Sequence, residues 1–140
     1  MKIKVQHVAL DYIQQVWPLV EPWFIPVFEK SDASRYYDLE HLKYILIRGE
    51  QVLLVGTDED NVIQGVAAIQ WLNFPKARVA YITAIGGRLI TSKENHEELV
   101  GWVRAHGGTR IEGSVRESLA RLWKQKIGYT PRQITVELEL

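Results

Sequence analysis

Apolar and polar positions recur with two different periods along this 140-residue chain, and each change of period marks an element. Residues 2–9 alternate closely enough for a strand. The period then lengthens: Ile13, Val16, Trp17, Val20, Trp23, Phe24, Val27 and Phe28 follow at helical spacing and define one wide apolar face. Asp11, three residues before Gln14, predicts the start of that helix through a capping box. Pro18, Pro22 and Pro26 stand at steps of four on the opposite side. Each removes a hydrogen bond and clashes one turn back, at about 3 kcal/mol in a helix interior. The pattern therefore predicts a bent or broken helix, or two short ones, with outward prolines curving it around the core.

Asp38 predicts the cap of a second helix, with Leu39, Leu42, Ile45 and Leu46 inward and Gly49 as its stop. Two strands follow, Gln51–Gly56 and Val62–Phe74, joined by the acidic run Thr57-Asp58-Glu59-Asp60-Asn61, which reads as a solvated hairpin loop. Gly65 inside the second of these strands predicts a bulge. Pro75 separates it from a third strand, Arg78–Ile85, and the three form a meander. A turn, Gly86-Gly87-Arg88, leads to a helix whose start signal is Thr91 with Glu94; Leu99, Trp102 and Val103 face inward and Gly107-Gly108 end it. A strand over Thr109–Val115 follows. Ser114 with Glu117 then marks a last helix carrying Leu119, Leu122 and Trp123. The strict alternation of Ile134-Thr135-Val136-Glu137-Leu138-Glu139-Leu140 predicts a closing strand.

Neighbouring early strands pair antiparallel, whereas the helical crossover from Ile85 to Thr109 requires a parallel pair. The fold class is α+β: a mixed, mostly antiparallel sheet with helices on both faces, in one domain over residues 1–140. A chain of this length buries roughly 70% of its unfolded surface. The absence of cysteine excludes disulfides, a thiolate nucleophile and a Cys-ligated metal, and fits a reducing compartment. Seventeen basic residues balance seventeen acidic ones, so no overall field draws nucleic acid or a membrane surface. No apolar run reaches the roughly 20 residues of a membrane span. The expectation is a soluble, cytoplasmic protein.

The element order and several short motifs resemble the Gcn5-related N-acetyltransferase (GNAT) superfamily over nearly the whole chain. Ala120-Arg121-Leu122-Trp123 through Gly128-Tyr129, followed by an alternating segment, is similar to that family's closing helix, Gly-aromatic turn and last strand. Ile85-Gly86-Gly87, Trp102-Val103-Arg104 with Gly108, Ile111-Glu112-Gly113, and Arg116 with Ala120-Arg121-Leu122 are similar to small GNAT-like proteins of tailed phages. The resemblance implies acetyl-coenzyme A lying between the fourth and fifth strands, its pantetheine on the fourth strand and its pyrophosphate on the following turn. Carried onto this chain, the cofactor positions are Thr83, Ile85, Gly86, Gly87 and Arg88. The family's turn normally reads Gln or Arg, two residues, Gly, one residue, then Gly or Ala. Here Ile85-Gly86-Gly87-Arg88-Leu89-Ile90-Thr91 places the glycines first, a diverged form.

Acetyl transfer to an amine needs a base for the nucleophile and an acid for the leaving thiolate. The family often supplies the acid from a tyrosine in the last helix, where this chain has Trp123 and Lys124. Glu112 and Tyr81 are the catalytic candidates, both on strands beside the implied site. His7, His41, His96 and His106 lack metal-ligand spacing and read as surface residues. Arg116, Arg121, Lys124, Lys126 and Arg132 form a local basic patch. Five tryptophans are mostly core, with Trp17, Trp23 and Trp71 as candidate contact anchors. Two readings stand open. One is an N-acetyltransferase acting on a small-molecule or protein amine. The other is a non-catalytic phage or prophage protein, binding a phage or host protein in the bacterial cytoplasm or the virion.

Overall fold

The computed structural model describes residues 1–140. Strand β1 (Lys4–His7) precedes helix α1 (Leu10–Lys30), a 3-10 turn (Asp32–Arg35) and helix α2 (Leu39–Ile47). The meander β2 (Val52–Thr57), β3 (Ile63–Phe74) and β4 (Ala77–Gly87) follows, then α3 (Lys93–Ala105), β5 (Arg110–Gly113) and α4 (Glu117–Ile127). The five strands form one sheet in chain order, antiparallel except for the parallel pair β4–β5. A mixed α+β sheet with helices on both faces is therefore what the chain forms.

Period-two alternation divides each central strand between two cores. Leu53, Val55, Val66, Ala68 and Ala84 pack under Ile13, Trp17, Val20, Phe24 and Phe28 of α1 and Leu42 and Leu46 of α2. Leu54, Ala67, Ile69, Ala80 and Ile82 face the other way, onto Leu99 and Val103 of α3 and Leu89. The α2 cap is as expected: the Asp38 carboxylate accepts from His41 N–H at 2.9 Å, and His41 Nδ1 accepts from Asp38 N–H at 3.1 Å. The acidic loop is organised by Asp58, whose carboxylate accepts from the N–H groups of Asp60 and Val62 and from Gln64. These bonds, Val62 first, hold it below the usual carboxylate range. The register shift between Gly56 and Thr57 leaves Gln64, beside Gly65, as the bulged residue.

Several expectations are corrected. The three prolines neither break nor split α1, which is one helix from Leu10 to Lys30. All three are exposed, so the carbonyls they leave unpaired face water, while the buried stripe on the other side fastens every turn to the sheet. Its N-cap is Ala9, with no side-chain bond, rather than Asp11. Helix α3 is capped by Ser92, which accepts from Asn95 N–H at 3.2 Å, not by a Thr91–Glu94 box; the Thr91 hydroxyl instead donates to the Arg88 carbonyl. Helix α4 has Arg116 at its N-cap without a side-chain bond, which leaves Ser114 free for another contact. Strand β4 runs on to Gly87, so both glycines end the strand rather than form the turn.

The largest correction is at the C-terminus. Residues 130–140 form no strand, and no backbone hydrogen bond joins them to the sheet. Ile134, Val136, Leu138 and Leu140 are 83% or more exposed. Alternation states which face a segment would bury, but a strand exists only where an edge pairs with it. Here only side-chain pairs tie the tail down, Arg132 with Glu112 of β5 and Glu137 with Arg35.

Candidate functional site

The parallel pairing of β5 with β4 covers only Val79 to Ile82, opposite Arg110 to Gly113. Beyond that point β5 stops and β4 continues to Gly87, still paired with β3 but with its other edge open. The strands thus fork. At the fork β4 carries a bulge: Ile82 pairs with Ile69 and Ala84 with Ala68, leaving Thr83 without a partner on β3. The bulge reverses the alternation, so Ile85 packs on the α3 side with Ile82 while Ala84 packs with α1. The Thr83 hydroxyl is committed inside the sheet, 2.7 Å from Gln51 Oε1 and 3.0 Å from the Ala68 carbonyl. It therefore offers the fork its backbone and not its side chain.

Gly86 and Gly87 have a packing role. A Cβ on Gly86 would stand 2.7 Å from the Trp23 carbonyl oxygen, and one on Gly87 would stand 2.6 Å from both Gln64 O and Gly65 Cα. Gly87 also has φ +77°. Together they let α1 close on the ends of β3 and β4. Arg88 N–H donates to Gln64 O at 2.9 Å, so it too is engaged, whereas the Arg88 side chain is exposed.

Past Arg88 the backbone opens. The N–H groups of Leu89, Ile90, Thr91 and Ser92 meet no acceptor in the chain, and they lead directly into the N-terminus of α3. Unpaired donors at a helix start, with the helix dipole behind them, favour an anion. The Leu89 side chain is fully buried in the α3-side core and leaves the outer surface of the turn clear. Asn95 Nδ2 holds the Arg88 carbonyl at 3.2 Å, while Asn95 Oδ1 is buried without a partner, an acceptor suited to a ligand N–H or hydroxyl. Arg88 and Lys93 oppose the repulsion from Glu94, Glu97 and Glu98. The open edge of β4 and this turn thus fit the backbone-binding parts of acetyl-coenzyme A, with Gly86 and Gly87 also serving the close approach of α1.

The two catalytic candidates come together. Tyr81 and Glu112 are register partners, side by side on one face below the fork. The Tyr81 hydroxyl lies 2.6 Å from Ser114 Oγ, and Glu112 Oε2 lies 3.3 Å from Arg132. Ser114 was legible in the sequence only as a helix cap; its place beside Tyr81 follows from β5 ending at Gly113.

His96 also departs from expectation, since it is buried, 6% exposed, with Nε2 2.9 Å from the Tyr129 hydroxyl. Burial lowers its pKa against a weaker opposing effect of Glu97, and pushes Tyr129 up to about 12. Burial likewise lowers His7, with the His106 charge adding to it. Both imidazoles thus bind protons more weakly in the folded chain than in the unfolded one. Their stabilising contribution is complete above the ordinary value near 6.5 and is lost as pH falls through their lowered values. The urea midpoint is expected to fall below pH 6.5, and His96→Gln is expected to flatten that slope. An unchanged slope in the variant would remove His96 from the account.

No protein-family model matches the sequence, and no curated protein matches it. Solved structures do. An aminoglycoside acetyltransferase from an uncultured soil metagenomic sample superposes with TM-score 0.65 at 19% identity, over 99% of this chain and 96% of that one. A predicted acetyltransferase from Clostridium acetobutylicum, solved with acetyl-CoA, gives TM-score 0.59 at 18% identity, over 98% of this chain and 96% of that one. The ribosomal-protein-alanine N-acetyltransferase of Brucella melitensis biovar Abortus 2308 gives 0.65 at 11%, over 98% and 99%. The fold is that of the GNAT acetyltransferases. At these identities the likeness is one of fold.

Proposed function

We propose that this chain is an acetyl-coenzyme A-dependent N-acetyltransferase with a diverged cofactor turn, acting on a small-molecule or protein amine. The observation that carries the reading is the fork of β4 and β5 opening beside the unpaired N–H groups of Leu89–Ser92 at the start of α3. The open edge of β4 from Thr83 to Gly87 would hold the pantetheine amides, and Leu89–Ser92 with the Arg88 side chain the pyrophosphate. When bound, acetyl-coenzyme A supplies an activated acyl thioester. In this reading the Glu112 carboxylate would take a proton from the incoming amine. The Tyr81 hydroxyl, in contact with Ser114 Oγ, would give one to the leaving sulfur.

Calorimetric titration tests this. Acetyl-coenzyme A at 100 times its Kd is expected to stabilise the fold by about 2.7 kcal/mol. Arg88→Glu, an exposed substitution, is expected to weaken binding about tenfold or more, equivalent to about 1.4 kcal/mol. Absence of binding at millimolar cofactor would end the enzymatic reading. The second reading, a non-catalytic GNAT-fold protein of phage or prophage that binds a phage or host protein, would then take its place. It is favoured by the exposed apolar residues of the tail; its phage origin rests on the short sequence motifs alone. No helix is long and apolar enough to cross a membrane.

A further inference from the structure

The helices leave part of the sheet bare. On the α1 side the core takes Leu53, Val55, Val66, Ala68 and Ala84, and nothing from β5. Below the fork the same face carries Gln70, Tyr81 and Glu112, register neighbours across β3, β4 and β5 that belong to neither core. Ile111 packs toward α3, so Arg110 shares the face of Glu112, two positions and about 7 Å back along β5. Gln70 and Arg110 are exposed, and Tyr81 and Glu112 are half-buried. Charge on this platform is lopsided. Strands β3, β4 and β5 hold no carboxylate other than Glu112. Arg132 reaches Glu112 at 3.3 Å, whereas Arg110 pairs with no carboxylate at all. One acid that already receives a cation thus stands beside a cation without a partner.

We infer that the acceptor is an amine bearing a carboxylate a few methylenes away, its ammonium on Glu112 and its carboxylate on Arg110. This substrate class rests on the acetyltransferase reading, which puts the acceptor beside Glu112. Arg132 holds the ammonium's place in the free chain and yields it readily, because an ion pair this exposed is weak. A guanidinium and a carboxylate pair through two parallel hydrogen bonds, so Arg110 sets the direction of the acceptor as well as its charge. The Gln70 amide, with donors and an acceptor, serves either end. An acceptor with several amines fares worse. Once Glu112 has taken one ammonium, the others face Arg110 and the displaced Arg132, with no second carboxylate on these strands. Like charges brought together in this way exclude the wrong partner. Each turnover converts one ammonium and one thioester into an N-acetylated acid, coenzyme A thiol and one released proton.

Three amines of like length test this: 4-aminobutanoate, butylamine and 1,4-diaminobutane. Each is titrated calorimetrically into the full chain without cofactor, and each is then assayed as an acetyl acceptor. The chain is expected to bind 4-aminobutanoate at least about tenfold tighter than either of the others, the weight of one charge-assisted hydrogen bond. Arg110→Gln, at an exposed position, is expected to keep the circular dichroism spectrum and erase that difference. Arg110→Glu is expected to reverse it in favour of 1,4-diaminobutane. In acetyl transfer both variants are expected to raise KM for 4-aminobutanoate with little change in kcat, since Arg110 binds the acceptor away from the reacting atoms. Equal or better use of the diamine by the parent chain, or selectivity that survives Arg110→Glu, would overturn the substrate class and leave an acetyltransferase in place. Absence of 4-aminobutanoate binding at high millimolar concentration would overturn it too. Selective binding of 4-aminobutanoate by a chain that takes up no acetyl-coenzyme A would instead keep the ligand class and remove the reaction.

Discussion

Replacing Gly87 by valine is expected to lower folding stability by about 2–6 kcal/mol, out of the 5–15 kcal/mol typical of a domain. Two costs combine. Gly87 has φ +77°, where a β-branched residue is strained by about 1–3 kcal/mol. Its Cβ would also stand 2.6 Å from Gln64 O and Gly65 Cα and 2.9 Å from Trp23 Cε3. The first two are backbone atoms held by strand pairing, so the overlap is relieved only by pushing α1 or β3 away, at about 1–3 kcal/mol more. Gly101 supplies the control. It lies exposed in the middle of α3, and a Cβ there meets nothing within 4 Å. Gly101→Ala is expected to stabilise by about 0.5–1 kcal/mol. Urea unfolding of both variants, followed by circular dichroism, checks the pair. Equal midpoints would show that α1 does not close on the strand ends as described. Loss of acetyl-coenzyme A binding in a Gly87 variant would therefore report the fold, and the exposed Arg88 is the better probe of the site.

Tyr81→Phe is expected to lower kcat by about 10²–10⁴ while leaving KM for acetyl-coenzyme A nearly unchanged. The ring stays, so the packing of β4 is kept; only the hydroxyl that meets Ser114 is lost. A group acting solely on the leaving thiolate matters in the transition state and not in binding. Ser114→Ala is expected to have a smaller effect in the same direction, since Ser114 orients the hydroxyl without being the donor. Steady-state kinetics on any accepted amine provides the readout, with the basic limb of the pH profile as a second one. A kcat within threefold of the parent would remove Tyr81 from the chemistry and leave its contact with Ser114 a structural one.

Much of the fold was legible because it rests on local rules. The apolar stripe of α1, the Asp38 cap, the meander and the crossover to a parallel strand each follow from spacing within a short window. The site was legible in part. The sequence put Tyr81 and Glu112 on neighbouring strands, but neither their register nor what those side chains touch was readable. Ser114 became a partner of Tyr81 only because β5 ends one residue earlier. Thr83 was lost as a side-chain contact because the bulge turns its hydroxyl toward Gln51, thirty-two positions away in the chain.

Sequence alone determined the element order as far as the last helix, the two-faced patterning of the strands, and the departure of the cofactor turn from the family form. All three depend on residue type and near-neighbour spacing. Tertiary structure decided that Gly86 and Gly87 serve the approach of α1, because the atoms crowding them come from Trp23 and Gln64. It decided that the unpaired N–H groups lie one step later, at Leu89–Ser92. It also decided that Ile134–Leu140 is no strand within its own chain. A strand is a relation between two edges, and a one-dimensional pattern states only half of it.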